Sequence, residues 1–162
     1  MNKSVSPFGQ KKDIFFMKKA LAQAQKAYAS EEVPVGAIVV DSQGKVIGRG
    51  YNLVGKRNTQ AAHAEVIAIS KAGKKIGDWR LNGCWLYVTL EPCSMCMSLA
   101  LLSRLDGVVY GATSPVFGYQ LDKELHFQLY KYGALLVVSG VCAEESSALL
   151  KDFFRHKRGR MA

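Results

Sequence analysis

The sequence predicts an α/β protein in which helices cover a mixed β-sheet. Short apolar runs rich in β-formers alternate with stretches of helical periodicity. The series opens with two strands joined by a tight turn. Several strands lack polar alternation, as strands buried on both faces do.

The elements follow in order. From Asp13 to Ala29 the apolar residues Ile14, Phe15, Met17, Leu21, Ala24 and Tyr28 recur at helical spacing. Val35–Val40 is an apolar strand, which Asp41-Ser42-Gln43-Gly44 turns into a second strand, Lys45–Gly50. Residues 63–73 read as a helix ending near Gly73. Trp85–Leu90 is a strand, and Pro92 is expected to open a helix reaching about Ser103, since proline is tolerated in a first turn. Val108–Tyr110 and Leu135–Val138 read as strands, with a helix from about Leu121 to Tyr130 between them. A last amphipathic helix is expected from about Ala143 to Arg155.

The 162 residues, 49% of them hydrophobic, suit one compact core. A single domain over 1–162 is expected, with a basic N-terminal extension at 1–12 and a basic helix end and tail at 151–162. No apolar run approaches the roughly 18–20 residues of a membrane span. Met1–Pro7 has a lysine but no apolar stretch behind it, so a secretory signal is not expected and the cytoplasm is. The net charge of +9 is uneven. Residues 1–20 and 151–162 each carry +4, and the other 130 residues only +1. Two basic ends suit a polyanion, although solvated termini have the same composition.

Two segments carry the chemistry: Ala62-His63-Ala64-Glu65 at one helix start, and Leu90-Glu91-Pro92-Cys93-Ser94-Met95-Cys96 where a strand meets a helix. Of the four cysteines only Cys93 and Cys96 form a Cys-x-x-Cys pair, a spacing of metal or redox chemistry. Three residues apart, they share a helix face. A helix N-terminus favours thiolates. One nitrogen and two sulfurs suit tetrahedral zinc with a fourth corner for water, whose pKa zinc brings to roughly 7. Glu65 is then free to move protons. His63 and Glu65 are two apart and do not face the same way on a regular helix, so both are expected in a first turn, where cap geometry relaxes the rule. Singly, each residue has an ordinary reading: a satisfied histidine, a helix-start acid, buried small thiols. Together they point to a catalytic zinc.

These motifs resemble the signature of the zinc-dependent nucleoside and nucleobase deaminases. Glu32-Val33-Pro34-Val35-Gly36-Ala37, Gly50-Tyr51-Asn52, Leu86–Cys93 and Leu149–Arg155 make the chain similar to the bacterial tRNA-specific adenosine deaminases, from about Asp13 to Arg158. The resemblance implies a cytidine deaminase-like three-layer α/β/α sandwich on a five-stranded mixed sheet. It implies one Zn2+ per subunit held by His63, Cys93 and Cys96, Glu65 as catalytic proton shuttle, and a homodimer with its active sites near the interface. It also implies hydrolysis of a flipped-out wobble adenosine to inosine in a tRNA anticodon stem-loop. Asn52 matches a residue that hydrogen-bonds the base; Val33, Leu90 and the backbone around Ala64 are expected to shape the pocket. After Ala112 the family pattern is an acidic residue followed by small ones, whereas this chain has Thr113-Ser114-Pro115-Val116-Phe117-Gly118-Tyr119. A substrate contact there would use the Ser114 hydroxyl, with Phe117 and Tyr119 stacking on bases or filling a local core or dimer contact.

Two alternatives remain open at this point. The same chemistry could act on a free base or nucleotide (guanine, cytosine or deoxycytidylate), which would gain little from the two basic ends. A non-enzymatic RNA-binding module with a structural zinc would leave Glu65 dispensable.

Overall fold

In a computed structural model, residues 5–122 and 135–161 are described. The first helix, α1 (Gln10–Ala29), leads into β1 (Gly36–Val40) and β2 (Val46–Tyr51), which pair antiparallel. A short α2 (Val54–Arg57) and a 3-10 turn, Gln60–Ala62, precede α3 (Ala64–Ile76). Then come β3 (Trp85–Leu90), α4 (Ser94–Leu102), β4 (Gly107–Ala112), β5 (Leu136–Val138) and α5 (Ala143–Met161). The sheet order is β2-β1-β3-β4-β5; β1 runs antiparallel to β2 and β3, while β3, β4 and β5 are parallel. This is the expected five-stranded mixed sheet.

Strand period places alternate side chains on opposite faces. Ile38, Val40, Trp85, Tyr87 and Val109 pack with Phe16, Met17 and Ala20 of α1. Ala37, Val39, Leu86, Val88 and Val108 pack with Ala64, Ala68 and Ala72 of α3 and with Met97 and Ala100 of α4. β1 and β4 are buried at every position, which is why they show no polar alternation. On the first face α5 joins α1, where the Tyr28 hydroxyl donates to Asp152 at 2.7 Å and its ring meets Phe153 edge-on. The result is a three-layer α/β/α sandwich.

Several boundaries differ from expectation. The third helix runs through Gly73 to Ile76 and stops at Gly77, whose φ of 74° lies in the left-handed region glycine favours. The propensity cost of one internal glycine is modest, so Gly73 alone does not end the helix. Pro92 lies outside its helix: Cys93 is the N-cap, and the first helical residue is Ser94. The last helix continues six residues past Arg155, where the Arg160 guanidinium reaches Glu31. A 3-10 turn occupies Tyr119–Asp122, and the remainder of the expected 121–130 helix lies outside the described residues.

α3 can lie against the sheet because β2 carries glycine where they meet. A Cβ on Gly50 would sit 2.4 Å from the Ala64 carbonyl oxygen and 2.8 Å from the Ala68 nitrogen. Ala64 is the first residue of α3, so this contact fixes where that helix begins. Gly50→Ala should therefore cost about 1–3 kcal/mol by overpacking and lower the zinc content of purified protein. Urea unfolding and elemental analysis check this; full stability with full zinc would contradict it.

Candidate active site

The site forms at the carboxyl end of β3, the edge where open α/β sheets bind ligands. Two helix starts supply it. His63 is the N-cap of α3, with φ −62° and ψ 148°. Cys93 is the N-cap of α4, with φ −72° and ψ 169°. Both are in extended backbone, turned out of the helix that follows. That geometry removes the apparent conflict between His63 and Glu65, because only Glu65 is helical.

The structure brings His63, Cys93 and Cys96 together. Their ligand atoms lie within 4.8 Å of one another, and among the described residues no other such group of three or more His, Cys, Asp or Glu forms. The His63 Nδ1 is 3.5 Å from the Cys96 Sγ and 3.8 Å from the Cys93 Sγ. Zinc bonds of about 2.3 Å to sulfur and about 2.1 Å to nitrogen, at a tetrahedral angle, set that separation near 3.6 Å. The three side chains therefore fit one tetrahedral ion and leave its fourth corner free. Cys84, buried before β3, stays outside the group.

The thiols and the imidazole perturb one another. The hydrogen bond from Cys96, and after it His63, pull the Cys93 thiol down to about 4 against the effect of its burial. Cys96 moves the other way, raised by its bond to Cys93 and by burial. His63 is raised, first by its hydrogen bond to Cys93. Glu65 is 4% exposed, and burial pushes its carboxyl above the usual carboxylate range. Its own backbone N–H, the His63 charge and the Cys96 thiol act in the opposite sense. Glu65 thus touches the cluster without belonging to the ligand set, and its raised pKa suits a group that must both take and give a proton.

The flanking residues are tied in by hydrogen bonds. The Asn52 side chain donates to the Val33 carbonyl at 3.2 Å and accepts from the Val54 N–H at 3.2 Å, closing the turn after β2. Each half of that amide keeps one further hydrogen-bonding position. The Leu53 N–H donates to the Ala62 carbonyl, joining this turn to the residue before His63. Val33 and Leu90 are half-buried, whereas the Ala64 side chain is fully buried and offers only its backbone. The Ser114 N–H donates to Glu91 at 2.9 Å, and the Ser114 hydroxyl accepts from the Phe117 N–H at 3.4 Å. Tyr119 packs against the core, while Phe117 is 77% exposed.

With this geometry in place, comparison with known proteins is informative. The family model of the cytidine and deoxycytidylate deaminase zinc-binding region matches residues 10–112. The chain belongs to this family. Among curated members of the deaminase family, the tRNA-specific adenosine deaminase of Bacillus subtilis is 43% identical over 148 residues, covering 90% of this chain and 91% of the relative. That of Haemophilus influenzae is 43% identical over 147 residues, covering 90% and 85%. A solved chain from a study of A-to-I editing by tRNA:A34 deaminases superposes with a TM-score of 0.77 at 38% identity, covering 84% of this chain and 99% of that one. The fold is therefore the cytidine deaminase-like one, and zinc is the metal this family site takes.

Three residues near the site escaped the sequence reading. Gln60 accepts at its Oε1 from the His63 Nε2 at 3.0 Å, leaving Nδ1 for the metal. Its position three before His63, on a 3-10 turn, was the available signal. Glu32 and Glu91, buried acids inside recognised motifs, serve loop backbones. Partners that orient a ligating histidine typically contribute 10- to 100-fold in metal affinity. Gln60→Ala should accordingly weaken zinc binding by about tenfold or more, measured by competition with a chromophoric chelator. Unchanged affinity would remove Gln60 from the metal site.

Proposed function

We propose that this deaminase hydrolyses the wobble adenosine of a tRNA anticodon loop to inosine, releasing ammonia. The carrying observation is the cluster itself: one imidazole nitrogen and two sulfurs at tetrahedral spacing, beside a buried acid that touches the cluster but is not a ligand. The choice of tRNA is supported by the names of the two relatives, which cover most of the chain, and by the two basic ends. Among the described residues no helix is long and apolar enough to cross a membrane. The proposed setting is the cytoplasm, and the proposed unit one deaminase domain over 1–162.

In this reading His63, Cys93 and Cys96 hold the zinc through Nδ1 and two thiolates. When bound, zinc supplies a water acidic enough to ionise near neutral pH. Glu65 would take one proton from the attacking water and pass it to the purine ring nitrogen beside C6. It would then take that oxygen's second proton and give it to the amino group, so that the C–N bond breaks, ammonia leaves and the C6 carbonyl forms. Burial keeps its carboxyl poised for both roles. Asn52 grips the base edge with its remaining donor and acceptor, Val33, Leu90 and the Ala64 backbone line the pocket, and Ser114 meets the ribose-phosphate side. We place a second subunit beside the site, because Met95 and Leu102 of α4 and Leu121 stay exposed. A monomer mass by light scattering would remove that subunit.

The α5 charges are not all available to RNA. Arg155 pairs with Asp152, Arg160 with Glu31, and Lys157 lies over the Phe153 ring. Lys151 and Arg158 are exposed and have no ion pair among the described residues, so they are the better phosphate contacts.

Incubation with an anticodon stem-loop carrying adenosine at the wobble position should yield inosine, with free guanine and cytidine untouched. Deamination of the free bases instead would replace the RNA reading with the small-molecule one. Glu65→Ala should keep zinc and fold yet lose turnover, and near-normal rates would refute its role. Replacing Lys151 and Arg158 with Gln should raise KM and flatten the log–log salt slope by about 1–2.

A further inference from the structure

Glu91 precedes the zinc-motif cysteine by two residues, yet its side chain is turned toward a loop. It is 4% exposed. One carboxylate oxygen accepts from the Ser114 N–H at 2.9 Å and the other from the Gln120 N–H at 3.3 Å. One side chain thus holds both ends of the segment 114–120. Two further bonds complete the arrangement. The Tyr119 N–H donates to the carbonyl of Pro92, next to Cys93, at 2.9 Å, and the Gly118 N–H donates to the Ser114 carbonyl at 3.1 Å. Gly118 has no alternative: a Cβ there would lie 2.4 Å from the Glu91 carboxyl and 2.5 Å from the Ser114 oxygen. The loop is therefore shaped around this acid and anchored to the strand–helix junction that carries Cys93. At its tip Val116 and Phe117 are 66% and 77% exposed, while Gly118 beside them is buried. A clamped loop that is anchored at the junction carrying Cys93 and presents a bare aromatic ring is built to meet something outside the chain.

We propose that Glu91 is the positioning residue of a preformed substrate loop, and that Phe117 stacks on an unpaired nucleotide flanking the one deaminated. This rests on the RNA reading above. Bases accept stacking irrespective of identity because each has a π-face. A clamp that orders the ring beforehand removes the cost of ordering it on binding. The acid is suited to this because a carboxylate accepts at both oxygens, whereas an amide would set an N–H against one of the two backbone N–H groups.

The test combines three variants with a readout that does not need activity. Amide exchange at Ser114 and Gln120 is followed by mass spectrometry or NMR in wild type, Glu91→Gln, Gly118→Ala and Phe117→Ala. Binding of the anticodon stem-loop is measured in a Glu65→Ala background, where nothing turns over. Glu91→Gln and Gly118→Ala should speed exchange at both amides, and raise Kd and KM about tenfold with kcat within about twofold. Zinc content should be unchanged. Phe117→Ala should raise Kd and KM similarly without altering exchange. If Glu91→Gln speeds exchange but leaves Kd and KM alone, the loop does not meet substrate and the proposal falls. If it lowers zinc content and kcat with KM unchanged, Glu91 supports the metal cluster and the proposal falls as well. Wild-type protein that fails to convert or bind the stem-loop would instead sink the RNA reading, while the exchange data would still report on the clamp.

Discussion

The site depends on two helix starts converging on one point. His63 and Cys93 occupy the same structural position, an N-cap in extended backbone, on α3 and α4. From there each side chain turns toward the other, and Cys96, one turn into α4, closes the set. The arrangement is also electrostatically sound. Two helix N-termini present partial positive charge to a region that must hold thiolates, worth about 0.3–1 kcal/mol per favourable interaction. The same position explains why Glu65 falls beside the cluster: it is the second residue of α3, and its own N–H points to its carboxyl.

Convergence of that kind needs helices seated at fixed heights on the sheet. Gly50 of β2 lets the start of α3 approach within backbone distance. The parallel pairing of β3 with β4, from Trp85 opposite Gly107 to Leu90 opposite Ala112, sets where β3 ends and hence where Cys93 begins. The residues after β4 then fall beside Glu91, so one register positions both the metal motif and the loop over it. Alanines at 64, 68 and 72 are wholly buried against the strands; small side chains on the helix and glycine on the strand together keep this layer thin.

What the sequence revealed, and what it hid, follows from the range of the interactions. Strand spans such as Trp85–Leu90 were readable because both faces are buried and every position but Thr89 is apolar or aromatic. The metal triad was readable because its spacing is local: one histidine, and one pair of cysteines three apart. Gln60 was hidden because its partner is chosen by a turn whose shape no periodicity announces. The end of α3 was misread at Gly73, since an internal glycine and a terminal one look alike until the left-handed residue that closes the helix, Gly77, is known. The roles of Ser114 and Glu91 depend on a contact across 23 residues that only the β3–β4 register creates. Asn52 lies between these cases: the motif marked it, and the structure adds that it closes a turn while keeping one donor and one acceptor in hand.

Among the described residues four acids are buried, and what each one touches separates structure from chemistry. Asp13 accepts from the Ser6 and Tyr87 hydroxyls, tying the N-terminal segment to the sheet. Glu32 accepts from the Gly55 and Lys56 N–H groups, and Glu91 from those of Ser114 and Gln120. In these three, the bonded carboxyl oxygens are committed to donors that hold another segment in place. Glu65 differs. Its neighbours are its own backbone, a thiol and the imidazole charge, and burial outweighs them, so its carboxyl rises while no distant segment is hung from it. A buried acid can carry protons only if gaining one does not loosen the fold around it. Among these four Glu65 alone meets that condition, which is a physical reason, separate from any motif, for the proton-transfer role proposed for it.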